Sequence, residues 1–245
     1  MSAIQQEDAN VRMERSARMI GEEGLRRLRE ARVAVFGLGG VGSSCVEALA
    51  RAGVGTLVLI DRDAVEESNI NRQAIAFYST IGKRKVDVME AMVKEIAPVT
   101  RVIAYDAFVT ADNVGEFLAE PVDYIIDAVD TVTTKLALAS YAEEHGVAFV
   151  GSMGAANKCH PEMLAFADIY KTQSCPLCRS VRKLARKQGI GAMRVLYSAE
   201  QPVAVAAAEG SNRRERTELG TLSFMPPIMG QMIAGDVIRN IVGIA

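Results

Sequence analysis

Apolar residues recur along the chain in two alternating rhythms: short unbroken runs, and longer stretches where they return every third or fourth position. ARVAVFG (31–37) is an unbroken, β-branched run and predicts a strand, with a helix following to about Ala52. TLVLID (56–61) predicts a second buried strand. IGKRKVDVMEAMVKEIAP (81–98) places Val86, Met89, Val93 and Ile96 at helical spacing, and Pro98 stops it. VIAYDAFV (102–109) reads as a third strand, NVGEFLAE as a helix, VDYIIDAV (122–129) as a fourth strand, 133–145 as a helix and VAFVGS (147–152) as a strand. Ahead of them, residues 12–30 are polar with sparse apolar positions and predict one or two short helices. Continuous apolar strands alternating with helices predict an α/β fold, a mostly parallel sheet covered on both faces.

After Gly151 the rhythm changes. GSMGAANKCHP is a glycine-containing loop, MLAFADI a strand, CPLCRSVRKLARKQG the approach to a helix, and MRVLYSAE a strand. VAVAAAEGSNRRERTEL predicts a mobile loop, and Pro226–Pro227 introduce a closing helix, IMGQMIAGDVIRNIVG, whose apolar face is expected to dock on the sheet. With no internal repeat and no low-complexity linker, residues 1–245 are expected to form a single domain. Its parts would be a core over 31–150, an elaboration over 151–225 covering the carboxyl edge of the sheet, and the closing helix over 226–245.

Composition narrows the classes. With 49% hydrophobic and 24% charged residues in 245, disorder and collagen-like repeats are excluded. No apolar run approaches the roughly 18 residues needed to span a bilayer. The opening MSAIQQEDANVRMER has no apolar core of a secretory signal, so a cytoplasmic location is expected, with Cys45, Cys159, Cys175 and Cys178 as reduced thiols. His145 and His160 are the only histidines, which leaves little material for histidine-driven catalysis. The net charge of −2 is unevenly placed: Ile169–Arg216 holds ten Lys or Arg against three acids, a balance of +7, so the remainder carries −9. One basic stretch in an acidic chain suggests a local polyanion site.

GLGGVG puts Gly37, Gly39, Gly40 and Gly42 between a strand and a helix, and Asp61 ends the next strand 19 residues after Gly42. Tight turning, close backbone approach and a helix N-terminus suit an anion, and a carboxylate there reaches ribose hydroxyls, as in a Rossmann-like nucleotide site. The glycine pattern alone leaves NAD and ATP both open. Beyond Asp61, the run DRDAVEESNINRQ followed by IGKRK supplies Asp63, Asn69, Arg72 and Lys85, a set suited to a triphosphate. Asp127 and Asp130, at the end of another strand, are candidates to hold magnesium on the phosphates.

In order, GLGGVG, LIDRD, SNINRQ, GKRK and DAVD resemble the ATP-binding motifs of the ubiquitin-activating-type adenylyltransferase superfamily over residues 31–131. The resemblance implies ribose binding by Asp61, triphosphate contacts from Asn69, Arg72 and Lys85, and a magnesium-side role for Asp130. It also implies a homodimer, in which Arg18, in ERSARMIGEEGL, enters the neighbouring subunit's site. The implied chemistry transfers AMP to a carboxylate while pyrophosphate departs, and it needs no general base because a carboxylate is already ionised near pH 7.

Superfamily members that activate sulfur carriers usually hold zinc with two CxxC pairs. Here Cys175-Pro-Leu-Cys178 is one pair, and completing a four-cysteine site would require Cys45 in the nucleotide helix, so no metal is expected there. A remnant pair, a redox pair and two buried thiols all remain open. Arg179, Arg182, Lys183, Arg186 and Lys187 fall on one helical face, with Val181, Leu184 and Ala185 free to point inward, and Arg213, Arg214 and Arg216 add charge later. A solvated face explains such a run by itself; above an adenylation site, it also suits the phosphates of a nucleic acid.

From about Met13 to Val242, including ADIYKTQSCPLCRSVRKLARKQGI and GTLSFMPPIMGQMIAGDVI, the chain resembles the threonylcarbamoyladenosine dehydratase family. This implies ATP-dependent activation of the carboxylate of a tRNA-borne threonylcarbamoyl group, then ring closure with net loss of water. The second cysteine of CPLC departs from the small residue expected there. Rival readings are an adenylyltransferase for a small sulfur-carrier protein, a NAD-dependent oxidoreductase, and a non-enzymatic adaptor docking RNA or a sulfurtransferase. Cysteine-desulfurase and sulfur-relay proteins stay open as partners.

Overall fold

Consecutive side chains of a strand point to opposite faces, and in the middle of this sheet both faces are covered. A computed structural model describes residues 3–204 and 219–244. The stretch carrying Arg213, Arg214 and Arg216, expected to be a loop, lies outside the described residues. Helix α1 (Ala3–Glu30) is broken at Gly21 (φ 66°, ψ 176°), so the expected short helices are two segments meeting at a kink. The core elements follow as β1 (Arg32–Phe36), α2 (Gly40–Ala52), β2 (Thr56–Asp61), α3 (Lys85–Ile96), β3 (Arg101–Asp106), α4 (Val114–Phe117), β4 (Tyr124–Asp127), α5 (Val132–His145) and β5 (Ala148–Ser152). Then come β6 (Leu164–Asp168), α6 (Pro176–Gln188), β7 (Arg194–Ser198) and α7 (Met225–Val242).

The sheet runs β3-β2-β1-β4-β5-β7-β6. Every pair is parallel except β6 against β7. Val33, Val35, Leu57, Leu59 and Ile126 pack beneath α2, α3 and α7, while Ala34, Phe36, Val58, Ile60 and Ile125 pack against α4 and α5. Burial of both faces is why the central strands are apolar in unbroken runs, each large aliphatic contributing about 1.5–3 kcal/mol. The segment after Gly151 lengthens the sheet with β7 and β6 and lays α6 on a third core shared with α5, through Leu136, Ala139, Val181 and Ala185.

Helix α7 shares the core above Val33 and Val35 with α2 and α3. Its main partner is α2: at Gly230 a Cβ would stand 2.2 Å from the Val41 carbonyl oxygen, so the two helix backbones touch there. The sheet lies beneath that pair, and Arg194 of β7 forks onto Asp236 of α7 at 2.7 and 3.0 Å. Arg12 ties α1 in by donating to the carbonyls of Ala50 and Ile96, at the ends of α2 and α3.

Candidate active site

After β1 the chain builds β2 and β3 on one side, then returns to place β4 on the other. A crevice must open where the order reverses, at the carboxyl ends of β1 and β4, and ligands of open α/β sheets lie in that crevice. The glycine loop sits on it. Gly37 has φ 90°, and a Cβ there would come within 2.8 Å of the Ala128 carbonyl group, so the loop after β1 presses on the loop after β4. A Cβ at Gly42 would stand 1.8 Å from the Gly37 carbonyl oxygen, because the first turn of α2 folds down onto its own loop. Gly39 differs: its nearest neighbour would be Gln73 Nε2 at 4.0 Å, leaving a cradle for a group that approaches the backbone closely.

Asp61 braces this loop. Its Oδ2 accepts from the Leu38 amide at 2.6 Å and its Oδ1 from the Asp63 amide at 2.8 Å. Burial pushes its carboxyl pKa up, while the two amides and Lys85 pull the other way. Asp63 passes the order on to Lys85, whose Nζ donates to Asp63 Oδ2 at 2.9 Å although the lysine is only 5% exposed. The backbone there is pinned by the Ala64–Arg84 bridge and by the Lys85 amide donating to the Asp63 carbonyl at 2.9 Å. Arg72 lies along the glycine loop, its Cγ 3.2 Å from where a Gly40 Cβ would be, and its Nη1 donates to Ser68 O and Asn71 Oδ1. Asn69 is buried, its Oδ1 accepting from the Glu66 amide at 3.2 Å and its Nδ2 donating to Ser68 Oγ. The structure therefore gathers Gly37, Gly39, Gly40, Gly42, Asp61, Asp63, Arg72 and Lys85 on one edge, with Asn69 holding the turn that carries Arg72.

Gln73 belongs with them, and no sequence signal singles it out. It is 7% exposed, its Oε1 is buried without a hydrogen-bond partner, and its Nε2 points toward Gly39. A phosphate oxygen in the cradle would accept from Nε2, the side of the amide that faces Gly39, whereas the buried Oε1, itself an acceptor, needs a donor from elsewhere. SNINRQ places Gln73 beside Arg72, but only its burial marks it out.

The aspartates after β4 divide. Asp127 is fully buried, receives Lys135 Nζ at 3.1 Å on both oxygens, and shares that ammonium with the Ser152 carbonyl at 2.6 Å. Burial pushes the Asp127 carboxyl pKa up and the ammonium opposes it. It is a structural anchor between β4, α5 and β5, and its candidacy for magnesium falls. Asp130 is exposed, with a hydroxyl contact from Thr131 at 3.3 Å. Among the described residues no three His, Cys, Asp or Glu side chains gather as a metal site. An ion held only by protein side chains does not fit; one held through phosphate oxygens with Asp130 does.

Helix α6 departs from the expected face in two places. Leu184, expected inward, is 37% exposed, and Cys178, Val181 and Ala185 fill the inner stripe instead. Arg182 turns under the helix, where its Nη1 donates to Ile169 O, Thr172 O and Thr172 Oγ1 at 2.7–3.3 Å. Three acceptors meet there because a single helical turn, Ile169–Lys171, ends against α6. Arg179, Lys183, Arg186 and Lys187 are exposed, Arg186 standing 5.3 Å above the Tyr170 ring. Arg18 is exposed on α1 and pairs with Glu14. A groove of about 380 Å³ lined by Arg27, Glu30, Asp123 and Tyr124 opens at the opposite, amino edge of the sheet and gathers none of this chemistry.

Comparison with known proteins identifies the family of the chain. The ThiF family model matches residues 13–245. A tRNA threonylcarbamoyladenosine dehydratase of Bacillus subtilis is 38% identical over 231 residues, 91% of each chain. The enzyme of that name from Escherichia coli is 39% identical over 168 residues, 69% of this chain and 63% of that one. The crystal structure of E. coli TcdA in complex with ATP superposes with a TM-score of 0.87 at 30% identity, covering 96% of this chain and 95% of that one. By sequence and by fold, the chain belongs to the ThiF family and is similar throughout to its tRNA threonylcarbamoyladenosine dehydratases.

Proposed function

We propose that this chain is an ATP-dependent tRNA threonylcarbamoyladenosine dehydratase. The observation that carries the reading is the meeting of two loops and two ordered cations at the sheet's switch point, in a chain whose similar relatives bear that name. The triphosphate lies over Gly39 with Gln73 at its side, the ribose on the Asp61 carboxylate, and Arg72, Lys85 and Asn69 along the phosphates. A magnesium ion carried with ATP and touched by Asp130 would neutralise charge between the phosphates. The substrate carboxylate attacks the α-phosphorus, an oxygen–phosphorus bond forms, and the bond to the β-phosphate oxygen breaks. Pyrophosphate leaves with the electron pair. Arg72 and Lys85 stabilise the charge that develops, and because they are already oriented they do so without reorganisation. The carbamoyl side of the same group then attacks the mixed anhydride, closes a five-membered ring and expels AMP, so the elements of water leave with the nucleotide products.

The exposed face of α6, with Arg179, Lys183, Arg186 and Lys187, positions the tRNA backbone, a role that reads no sequence. Arg182 supports that face from beneath. Two copies assemble so that Arg18 of each completes the other's site; its exposure, and that of Val11 (75%) and Met19 (82%) on the same helix, support that pairing. No helix of the described residues is long and apolar enough to cross a membrane, and the enzyme is read as cytoplasmic. The test is mass analysis of tRNA nucleosides after incubation with protein and ATP. Threonylcarbamoyladenosine should lose the mass of one water, and pyrophosphate release should require modified tRNA. Release driven instead by a small protein ending in Gly-Gly would replace this reading with sulfur-carrier adenylation.

A further inference from the structure

The chemistry above uses no thiol, yet two stand together at the start of α6. Cys175 caps the helix: its Sγ accepts from the Cys178 amide at 3.5 Å, one helical turn away. Both are free thiols, 5% and 1% exposed, so the first lies just under the surface, between exposed Gln173 and Pro176, and the second behind it. Ser174, immediately before the cap, takes a left-handed conformation (φ 57°) and is held by a hydrogen bond from Gln201. The surroundings are cationic, with Lys158 near Cys175 and Arg182 near Cys178. A hydrogen bond from the neighbouring thiol, a helix N-terminus and a nearby ammonium all favour a thiolate. The Cys175 pKa is accordingly pulled down to about 6, while its partner and burial push Cys178 up. The other two cysteines lack this setting. Cys45 is fully buried and pushed far up by desolvation, and Cys159 sits in a loop with its amide donating to the Glu200 carboxylate.

We propose that Cys175 and Cys178 are a redox-active dithiol, with Cys175 the attacking thiolate and Cys178 the resolving thiol, that exchanges with low-molecular-weight disulfides. The Cys175 thiolate attacks a sulfur of the external disulfide, a mixed disulfide forms, and one thiolate leaves and takes a proton. The Cys178 thiol, losing its proton, attacks Cys175 Sγ and expels the second thiolate. Two protein thiols become one disulfide and the external disulfide becomes two thiols, so the two electrons balance. The pair lies behind the loop after β5: Met153 shares its core, and Leu177 comes within 3.8 Å of a Cβ placed at Gly154.

The test treats the reduced full-length chain with oxidised glutathione and maps disulfides by mass spectrometry of the intact protein and its peptides. The expected product has lost two hydrogens, joins Cys175 to Cys178, and returns to the starting mass with dithiothreitol. Cys178→Ser should stop at a glutathione adduct on Cys175, and Cys175→Ser should give neither product. In the parent, the pH midpoint for alkylation of Cys175 should fall near 6, well under the ordinary thiol value. A midpoint at or above the ordinary thiol range, a disulfide that recruits Cys159, or glutathione adding to Cys159 while Cys175 stays reduced would each overturn the proposal. The parent measurements stand alone should a variant fail to fold.

Discussion

Lys85 and Lys183 carry the same ammonium group, and the fold treats them in opposite ways. Lys85 is 5% exposed, opens a helix pinned to its neighbour by backbone bonds, and is aimed by Asp63. Lys183 stands exposed on α6 and has no ion-pair partner among the described residues. The difference follows from what each must meet. A phosphate that changes charge during a reaction needs a donor already in place and shielded from water, where the interaction is strong. A long polyanion needs several solvated charges whose attraction is collective and screened by salt. Charge alone does not separate these roles; burial and a positioning carboxylate do.

The largest break in this contrast should come from the glycine loop, where two residues of one motif have opposite duties. Gly42→Ala forces a Cβ to within 1.8 Å of the Gly37 carbonyl, backbone that cannot yield, so the variant should lose several kcal/mol and unfold at a markedly lower temperature. Gly39→Ala meets nothing in the protein closer than 4.0 Å. It should keep its melting temperature and still bind ATP about tenfold more weakly, because the methyl fills the phosphate cradle. Thermal unfolding and ATP titration of the same two proteins decide it. Equal melting temperatures for both variants would remove the structural role of Gly42, and unchanged ATP affinity in Gly39→Ala would remove the cradle.

Next in size is the direct exchange between the two lysines. Lys85→Ala should lower ATP–pyrophosphate exchange by about a hundredfold, or about 2.7 kcal/mol, as expected for an oriented donor at a developing charge. Lys183→Ala should stay within about twofold under the same saturating conditions, since one screened surface charge is worth little. Similar losses for both would mean that burial does not distinguish the roles.

The nucleotide edge was legible in the sequence because each of its parts has a local signature. A strand of unbroken apolar residues, a glycine where φ must be positive, and an acid at the next strand's end are all dictated by nearby chain. The same locality explains the misreadings. Arg182 has the spacing of its neighbours on α6, and nothing in the helical period shows that three oxygens from residues 169–172 wait beneath it. Leu184 likewise looks apolar enough to turn inward, but Cys178, Val181 and Ala185 already fill the stripe that meets α5. Asp127 and Asp130 sit three residues apart in one motif, yet only tertiary structure brings Lys135 and the Ser152 carbonyl to the first. Gln73 was invisible for the same reason: burial and an unsatisfied oxygen are properties of the folded molecule. Helix α7 shows the limit from another side, since its apolar face was readable but not that its backbone would touch that of α2 at Gly230.

The smallest effects should come from α6, and they separate two kinds of arginine on one helix. Replacing Arg179, Lys183 and Lys187 by Glu should flatten the salt dependence of tRNA binding by about 0.7–0.9 in log–log slope for each phosphate left without a cation, while the melting temperature barely moves. Arg182→Ala should do the reverse. Its guanidinium satisfies the carbonyls of Ile169 and Thr172 and the Thr172 hydroxyl, so its removal leaves acceptors short of a donor and should cost about 1–2 kcal/mol of stability. The salt slope should stay that of the parent, because this cation is spent inside the protein. A changed slope in Arg182→Ala, measured alongside an unchanged melting temperature, would move Arg182 back to the solvent face; a parent-like slope in the triple reversal would make the whole face a solvated surface with no phosphate to meet.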